Sequence, residues 1–337
     1  MSGELVPEKN DLESVLRLFL FNIDKGTLFS DRILRGLGRF IHQFKPLFLL
    51  NNLQKSKTNV AHHYDLNSDL YRLFLDKDMQ YSCAYFKTGT ETLEAAQIAK
   101  KKHIAQKLAL TNPKLHVLDI GCGWGGLAIT LARDYGVRVT GITLSKEQLL
   151  IAKARVKKAG LSDRIDLKLC DYRSLHQKFD RIVSVGMLEH VGKSQYQEFF
   201  LGIKKLLMPD GIALIHSIGR KDGPASTNPW IARYIFPGGY SPALSEIFQA
   251  VEESKLWVTD CEILRLHYAQ TIWHWRQRFE RQQAKIKEMF DERFVRMFRF
   301  YLTSAELAFR VQDHMNFQLQ LSPQLETLPL TRDYINA

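Results

Sequence analysis

An acid followed by a glycine cluster, Asp119-Ile120-Gly121-Cys122-Gly123-Trp124-Gly125-Gly126, is the segment of this chain best suited to holding a reactive ligand. Glycine lets the backbone turn sharply and approach a ligand where a Cβ would stand in the way. The apolar run Val117 to Ile120 before the cluster and the helically spaced Leu127 to Tyr135 after it make this a strand-to-helix loop. Such a loop opens the first crossover of a nucleotide-binding α/β sheet. Gly121, Gly123 and Gly126 fit the dinucleotide spacing G-x-G-x-x-G, so the glycines alone do not choose the cofactor. The flanks do. Asp119 stands two residues before the first glycine, where a carboxylate can hold the turn and reach a cationic ligand. The second strand, Val137 to Leu144, runs into Thr143-Leu144-Ser145 without the acid that grips an NAD ribose. Lys146 follows, with no Arg placed for an NADP phosphate. S-adenosylmethionine is the better reading.

Ligands of open α/β sheets lie beyond the strand C-termini. Glu189 follows the fourth strand in Ser184-Val185-Gly186-Met187-Leu188-Glu189-His190, and His216 closes the fifth in Ala213-Leu214-Ile215-His216-Ser217-Ile218. A carboxylate there is costly to bury unless a charge such as a sulfonium offsets it. Spacing alone is equally compatible with a surface acid and a histidine satisfied by backbone. Two other clusters invite chemistry and fit blander roles better. In His62-His63-Tyr64-Asp65 adjacent side chains diverge and no spaced partner completes a metal site. Lys100-Lys101-Lys102-His103 is a charge run on a helix, for which a solvated face is expected.

These residues need a frame. Leu12 to about Leu53 reads as amphipathic helices, with Val15, Leu18, Phe19 and Ile23 on apolar faces, and a long helix is expected over Glu94–Leu108 with Leu93, Ala96, Ile98, Ile104 and Leu108 inward. Strands and helices then alternate: Val117–Ile120, Val137–Leu144, Ile165–Leu169, Arg181–Val185 and Ile212–His216, which imply a doubly wound, largely parallel sheet. Gly219 to Pro242, rich in Gly, Pro and aromatics, reads as a lid over the sheet edge. A helix (Leu244–Glu253), a strand (Trp257–Leu264) and two helices broken near Asp291-Glu292 follow. Asn316–Leu321 alternates as a final, antiparallel edge strand.

Four scattered cysteines, Cys83, Cys122, Cys170 and Cys261, give neither a zinc spacing nor a disulfide framework, and fit a reducing cytoplasm. The charged stretch Met1 to Asn10 is no secretory signal, and Val15 to Ile23, interrupted by Arg17 and Asn22, is too short to span a bilayer. A formal charge of +11 points to an anionic partner, nucleic acid or membrane. From Arg265 to Arg310 ten Lys/Arg stand against five Asp/Glu, interleaved at helical spacing with Ile272, Trp275, Phe279, Phe294, Met297, Phe298 and Tyr301. Aromatics on the sheet side and cations projecting outward would suit an anionic bilayer.

Taken together, Tyr81-Ser82-Cys83-Ala84-Tyr85-Phe86, the glycine motif, Val185-Gly186-Met187-Leu188-Glu189-His190-Val191-Gly192 and Pro229-Trp230-Ile231-Ala232-Arg233-Tyr234-Ile235-Phe236-Pro237-Gly238 resemble the cyclopropane-fatty-acid (cyclopropane-fatty-acyl-phospholipid) synthases and their mycolic acid methyltransferase cousins, from about His63 to Ser322. The resemblance implies a seven-stranded, mostly parallel, methyltransferase-type (Rossmann-like) sheet. A short N-terminal helical region would cover residues 1–60, and a catalytic domain 61–337 with lipid-pocket insertions at 219–243 and 265–311. The implied reaction moves a methylene from S-adenosylmethionine to the cis double bond of an unsaturated phospholipid acyl chain, at the inner face of the membrane.

The resemblance also assigns residues. Tyr81, Ser82, Asp119, Gly121, Gly123, Gly125, Thr143 and Gln148 would hold S-adenosylmethionine. Asp171 and Tyr172 would meet its adenine, although a turn or cap role explains Asp171 equally well. A bound bicarbonate would act as base in a cradle of Cys83, Glu189, His216, the Ile218 backbone and Tyr268. An anion beside a bare Glu189 is repelled, so that carboxyl must be protonated or share a proton. Two departures qualify the match. Ala305 stands where many relatives carry a late-helix cysteine, which removes a thiol route there. The front is shorter than in relatives of the bacterial phospholipid type, where lipid-gathering and dimer contacts are made, so a homodimer stays open. Rival readings are a methyl-branched or hydroxylated acyl product from the same carbocation and, in another class, an RNA-binding protein or RNA methyltransferase. Neither an Asn/Asp-Pro-Pro-Tyr tetrapeptide nor a catalytic cysteine motif supports the last.

Overall fold

The computed structural model describes residues 3–4, 6–8, 11–24 and 68–336. The expected boundary near residue 60, the helices from residue 25 to Leu53 and His62-His63-Tyr64-Asp65 lie outside the described residues.

Seven strands form one sheet: β1 His116–Ile120, β2 Arg138–Thr143, β3 Ile165–Leu169, β4 Phe179–Val185, β5 Leu207–Arg220, β6 Trp257–Ile263 and β7 His314–Ser322. Their order is β3-β2-β1-β4-β5-β7-β6. β1 pairs in parallel with β2 (Val117 with Val139) and with β4 (Val117 with Arg181), while β7 runs antiparallel to both β5 and β6. The chain winds outward from β1 in both directions, so the crevice between the β1 and β4 loops is the switch point where such sheets bind ligands.

Period-two alternation sorts the strand side chains onto two faces. Leu118, Ile120, Ile182, Ala213 and Ile215 enter one core with α6 (Tyr196–Leu206) and α8 (Leu244–Ser254). Val117, Val139, Val183 and Leu214 enter another, beneath α3 (Leu93–Lys107), α4 (Gly126–Tyr135) and α5 (Lys146–Lys158). A third cluster lies off the sheet's end. There α2 (Ser68–Phe74), α9 (His267–Arg281) and α11 (Glu292–Val311) bring together Tyr71, Phe74, Trp275, Phe279, Phe298 and Tyr301, with Trp124 of the glycine loop. The 219–243 segment joins this cluster through Trp230, Ile231, Ile235 and Phe236, around the short helix α7 (Pro229–Tyr234), whose first turn Asn228 caps.

Several expectations change. β7 is antiparallel but interior, and β6 is the edge. The alternation of β7 looked half-solvated, yet its polar positions are buried: Gln318 meets His216, and Gln320 Oε1 accepts from Thr259 and Tyr334. The stretch after β6 holds three helices, with α10 (Gln283–Met289) between α9 and α11. In α3 the charge run is mostly not solvated: Lys102 is exposed, but Lys100, Lys101 and His103 are buried, as is Lys107, whereas Ile98, expected inside, is 63% exposed. Lys101 pairs with Asp78 at 2.6 Å, and His103 and Lys107 both reach Glu262 at 2.6 Å. Remote acids meet Lys101 and Lys107, and a period count does not reveal remote partners. The cations of α9 also differ from expectation. Arg276 lies between Glu13 and Glu306, and Arg278 pairs with Glu94 at 2.7 Å, so neither projects outward. Glu13 belongs to α1 (Leu12–Asp24), where Leu18 and Phe19 of the expected apolar face are exposed.

Candidate active site

Where β1 ends, three alternate glycines turn the chain with positive φ: Gly121 at 85°, Gly123 at 53° and Gly125 at 79°. The N–H groups of Gly121 and Cys122 both donate to Ile142 O at 2.9 Å, which ties the loop to β2. Around it opens a cleft of about 1190 Å³ including its mouth, lined by Tyr81, Ser82, Asp119, Gly121, Gly123, Thr143, Gln148, Asp171 and Tyr172. Those are the expected cofactor positions except Gly125, which sits behind the loop. A Cβ on Gly125 would come within 3.1 Å of Ala152 Cβ on α5, so that glycine serves the fit of α4 and α5.

The donor set suits a nucleoside with a cationic tail. Asp119 is buried, one carboxylate oxygen has no hydrogen-bond partner, and burial raises its pKa to about 7. A ligand cation beside it would restore the charged form. Thr143 donates to Gln148 Oε1 at 3.1 Å, and the Ser145 cap on Gln148 N starts α5 at that point. Asp171 does what a turn acid does: it caps Arg173 N at 3.0 Å and takes Arg173 Nε at 2.8 Å, while also lining the cleft. Residues that the sequence reading did not select line it too, among them Met79, Gln80, Met187 and His190. Burial lowers the His190 pKa to about 4, so its ring is neutral near pH 7. Only its adjacency to Glu189 could have flagged it.

The cover over the β1 side is the Asp76–Ser82 segment. Asp78 is gripped by Lys101 and by Arg155 of α5, and Arg155 also donates to Trp124 O at 2.8 Å. A Cβ on Gly126 would strike Gln80 and Asp78, so this glycine lets the segment lie on the N-terminus of α4. Lys100 reaches Gln80 Oε1 at 2.6 Å and Ser82 Oγ at 2.8 Å.

The proposed base cradle lies apart from that lining. Glu189 sits on one helical turn, Leu188–His190, entered through Gly186 at φ 67°. It is 9% exposed; its Oε1 accepts from Ile218 N at 2.7 Å, its Oε2 is buried without a partner, and burial raises its pKa to about 7. The Ile218 N–H expected to serve an anion is therefore engaged by Glu189. Two residues earlier on β5, His216 is buried and held neutral, its pKa depressed by desolvation and then by the charge of Lys100. Gln318 Nε2 meets His216 Nδ1 at 3.0 Å, which leaves the proton on Nε2, a buried atom without a partner. Cys83 is fully buried, its thiol pKa raised by desolvation, and it neighbours Thr271 of α9. Tyr268, one turn earlier on α9, packs on Phe309 and Trp275 with ring centroids 4.7 and 5.8 Å apart. Ile218, Tyr268 and Ala305 border the same aromatic cluster, where Tyr81 OH meets Tyr301 OH at 3.0 Å.

A family model described as mycolic acid cyclopropane synthetase matches residues 51–319. The chain belongs to that family. It is 41% identical over 313 residues to the cyclopropane-fatty-acyl-phospholipid synthase of Escherichia coli K12, covering 90% of this chain and 80% of that protein. A probable fatty acid methyltransferase of Pseudomonas putida is 45% identical over 258 residues, which is 74% of this chain but only 65% of that longer protein. Among solved structures, the mycolic acid cyclopropane synthase CmaA1 complexed with SAH and CTAB superposes with a TM-score of 0.74 at 32% identity, over 79% of this chain and 97% of that one. The sheet is thus that of the methyltransferase-type cyclopropane synthases.

Proposed function

We propose that this protein transfers a methylene group from S-adenosylmethionine to the cis double bond of an unsaturated phospholipid acyl chain, forming a cyclopropane. The observation that carries the reading is the juxtaposition of two unlike compartments. A cleft with a buried, unpartnered Asp119 oxygen suits a sulfonium nucleoside. An aromatic cluster formed by Tyr81, Trp275, Tyr268, Tyr301 and Phe236 adjoins it through Tyr81. Aromatic faces tolerate a carbocation and exclude water.

In this reaction the alkene pair attacks the sulfonium methyl, the C–S bond breaks, and the sulfur leaves as a thioether. A proton is then lost from the transferred carbon as the ring closes. An alkene is a weak nucleophile, so these residues act mainly by alignment. The orphaned Glu189 Oε2 and His216 Nε2 suit a small anion that accepts from both, and we assign them, with Cys83 and Tyr268, to a bicarbonate, which supplies a base when bound, while Ile218 N holds Glu189 in place. Their part is to keep that position dry and to hold a proton at Glu189.

Lipid mass spectrometry of expressing cells tests the product. The expected acyl chains are heavier by one methylene and take up no hydrogen under mild catalytic hydrogenation. Heavier chains that do take up hydrogen would mean a methyl branch with a retained double bond, and unchanged chains would overturn the reading.

Access to such a chain calls for reversible docking on a membrane surface, since no described helix is long and apolar enough to cross a bilayer. Arg281, Lys285 and Arg293 are exposed on the helical cover. Each cation near an anionic surface contributes about 1 kcal/mol, and salt screens it. The protein is expected to co-sediment with anionic vesicles and to be released by high salt. Reversing Arg281, Lys285 and Arg293 together to Glu should weaken binding about a hundredfold or more without changing cofactor affinity. Equal binding to neutral and anionic vesicles at every salt concentration would replace this account with hydrophobic insertion.

A further inference from the structure

Lys100 is 1% exposed and belongs to none of the groups discussed so far as machinery. An ammonium has three N–H donors and no acceptor, so the direction of each of its hydrogen bonds is fixed. Two of them go to Gln80 Oε1 at 2.6 Å and Ser82 Oγ at 2.8 Å, and both residues line the cofactor cleft. The Ser82 oxygen is therefore an acceptor toward Lys100, and its hydroxyl hydrogen is left to point elsewhere. The backbone on either side is fixed: Gln97 Nε2 donates to Gln80 O at 3.3 Å and Ser82 O at 3.0 Å, and the buried Asp76 accepts from Gln80 N at 2.8 Å. This arrangement makes Ser82 a donor backed by a positive charge in a low-dielectric wall, and charge-assisted donors favour anions.

A methionine-type tail has two charged ends to be placed, an α-ammonium and an α-carboxylate, besides the sulfonium. Asp119 suits the cationic groups, but a second acid would repel the carboxylate. We propose that Lys100 is a positioning residue for the α-carboxylate of S-adenosylmethionine, acting through Ser82, whose hydroxyl it turns toward the ligand. This rests on the reading of the cleft as the cofactor site. Burial lowers the Lys100 pKa to about 8, with Asp76 and Asp78 opposing that shift, so the ammonium persists at neutral pH. The field of Lys100 also favours the charged form of Asp119, which couples the two ends of the tail.

Calorimetry with two ligands tests the assignment: S-adenosylhomocysteine, and its decarboxylated analogue 5′-deoxy-5′-(3-aminopropylthio)adenosine. The natural protein should prefer the carboxylate by about tenfold or more, the effect of one hydrogen bond to a charged group. Lys100→Met and Ser82→Ala should each weaken S-adenosylhomocysteine by about tenfold and leave the analogue within about twofold, so that the preference collapses. The double variant should be no worse than either single one, because the two residues act as one unit. Equal losses for both ligands in Lys100→Met would make the lysine a mere prop of the loop and overturn the proposal. So would a natural protein that binds the ligands equally. If Lys100→Met does not fold, Lys100→Arg and Ser82→Ala carry the comparison: an unchanged preference in Ser82→Ala overturns it. Failure of S-adenosylhomocysteine to bind the natural protein would instead remove the cofactor reading itself.

Discussion

Glu189→Gln is expected to lower turnover by about 10²–10⁴-fold, the range for a positioned acid–base group, while S-adenosylmethionine affinity stays within about twofold. The reason lies in how this carboxyl is held. Ile218 N satisfies Oε1 at 2.7 Å, Oε2 is buried and unpartnered, and burial raises the pKa from 4.5 to about 7. Glutamine keeps the shape and the bond to Ile218, and its amide can still donate to an anion. It cannot hold and release a proton. Binding of an anion should consequently survive the substitution, whereas the proton-dependent step should not.

The same group fixes a pH dependence. Below pH 7 the Glu189 carboxyl is protonated and donates; above pH 7 it is charged and repels an anion. Bicarbonate affinity, referred to the bicarbonate form itself, should hold steady below about pH 7 and fall tenfold per unit above it in the natural protein. That slope should vanish in Glu189→Gln. For folding the sign is the same: a carboxyl whose pKa is raised in the folded state contributes its stability below pH 4.5, and loses it as pH rises toward 7. Turnover that is indifferent to bicarbonate depletion, or a large loss of cofactor affinity in Glu189→Gln, would remove Glu189 from this role.

What could be seen in the sequence was what local pattern determines. The glycine loop, Glu189 just past β4, and the inner faces of β1, β4 and β5 all follow from periods of two and 3.6 and from glycine's freedom, whereas His216, expected to close the fifth strand, lies inside β5, which runs on to Arg220. The misread polar positions share one cause: a polar side chain satisfied by a partner far along the chain looks solvent-facing. Lys107 is buried because Asp260 and Glu262 of β6 lie against it at 3.3 and 2.6 Å. Gln318 and Gln320 can sit on an interior strand because His216, Thr259 and Tyr334 meet them. Arg276 and Arg278 are among the cations of 265–310 expected to project outward, and Glu13, Glu306 and Glu94 meet them from other helices. The Asp171 ambiguity had a different origin. A carboxylate in a turn can cap and also face a ligand, and here Asp171 caps Arg173 N while lining the cleft.

Gly123→Val should abolish measurable cofactor binding, a loss of about a hundredfold or more, through two effects that can be separated. Gly123 sits at φ 53°, a left-handed conformation that costs an L-residue about 1–2 kcal/mol and a β-branched one more. A Cβ built on it meets no protein atom within 4 Å, because the space it would enter belongs to the cleft that the residue lines. The first effect is strain in the fold; the second is obstruction of the ligand. Gly160 offers a control. It has φ 68°, no protein atom within 4 Å of an added Cβ, and an exposed place after α5, away from the cleft lining. Gly160→Val therefore carries the backbone cost without the obstruction: its melting temperature should fall while its affinity for S-adenosylhomocysteine stays unchanged. Gly123→Val should lose both, and Gly123→Ala, with one methyl in the cleft, should retain part of the affinity. Normal affinity in Gly123→Val by calorimetry would mean that the ligand does not pass over this loop. A matched loss of affinity in Gly160→Val would mean that strain alone, and not a blocked approach, is what the glycine prevents.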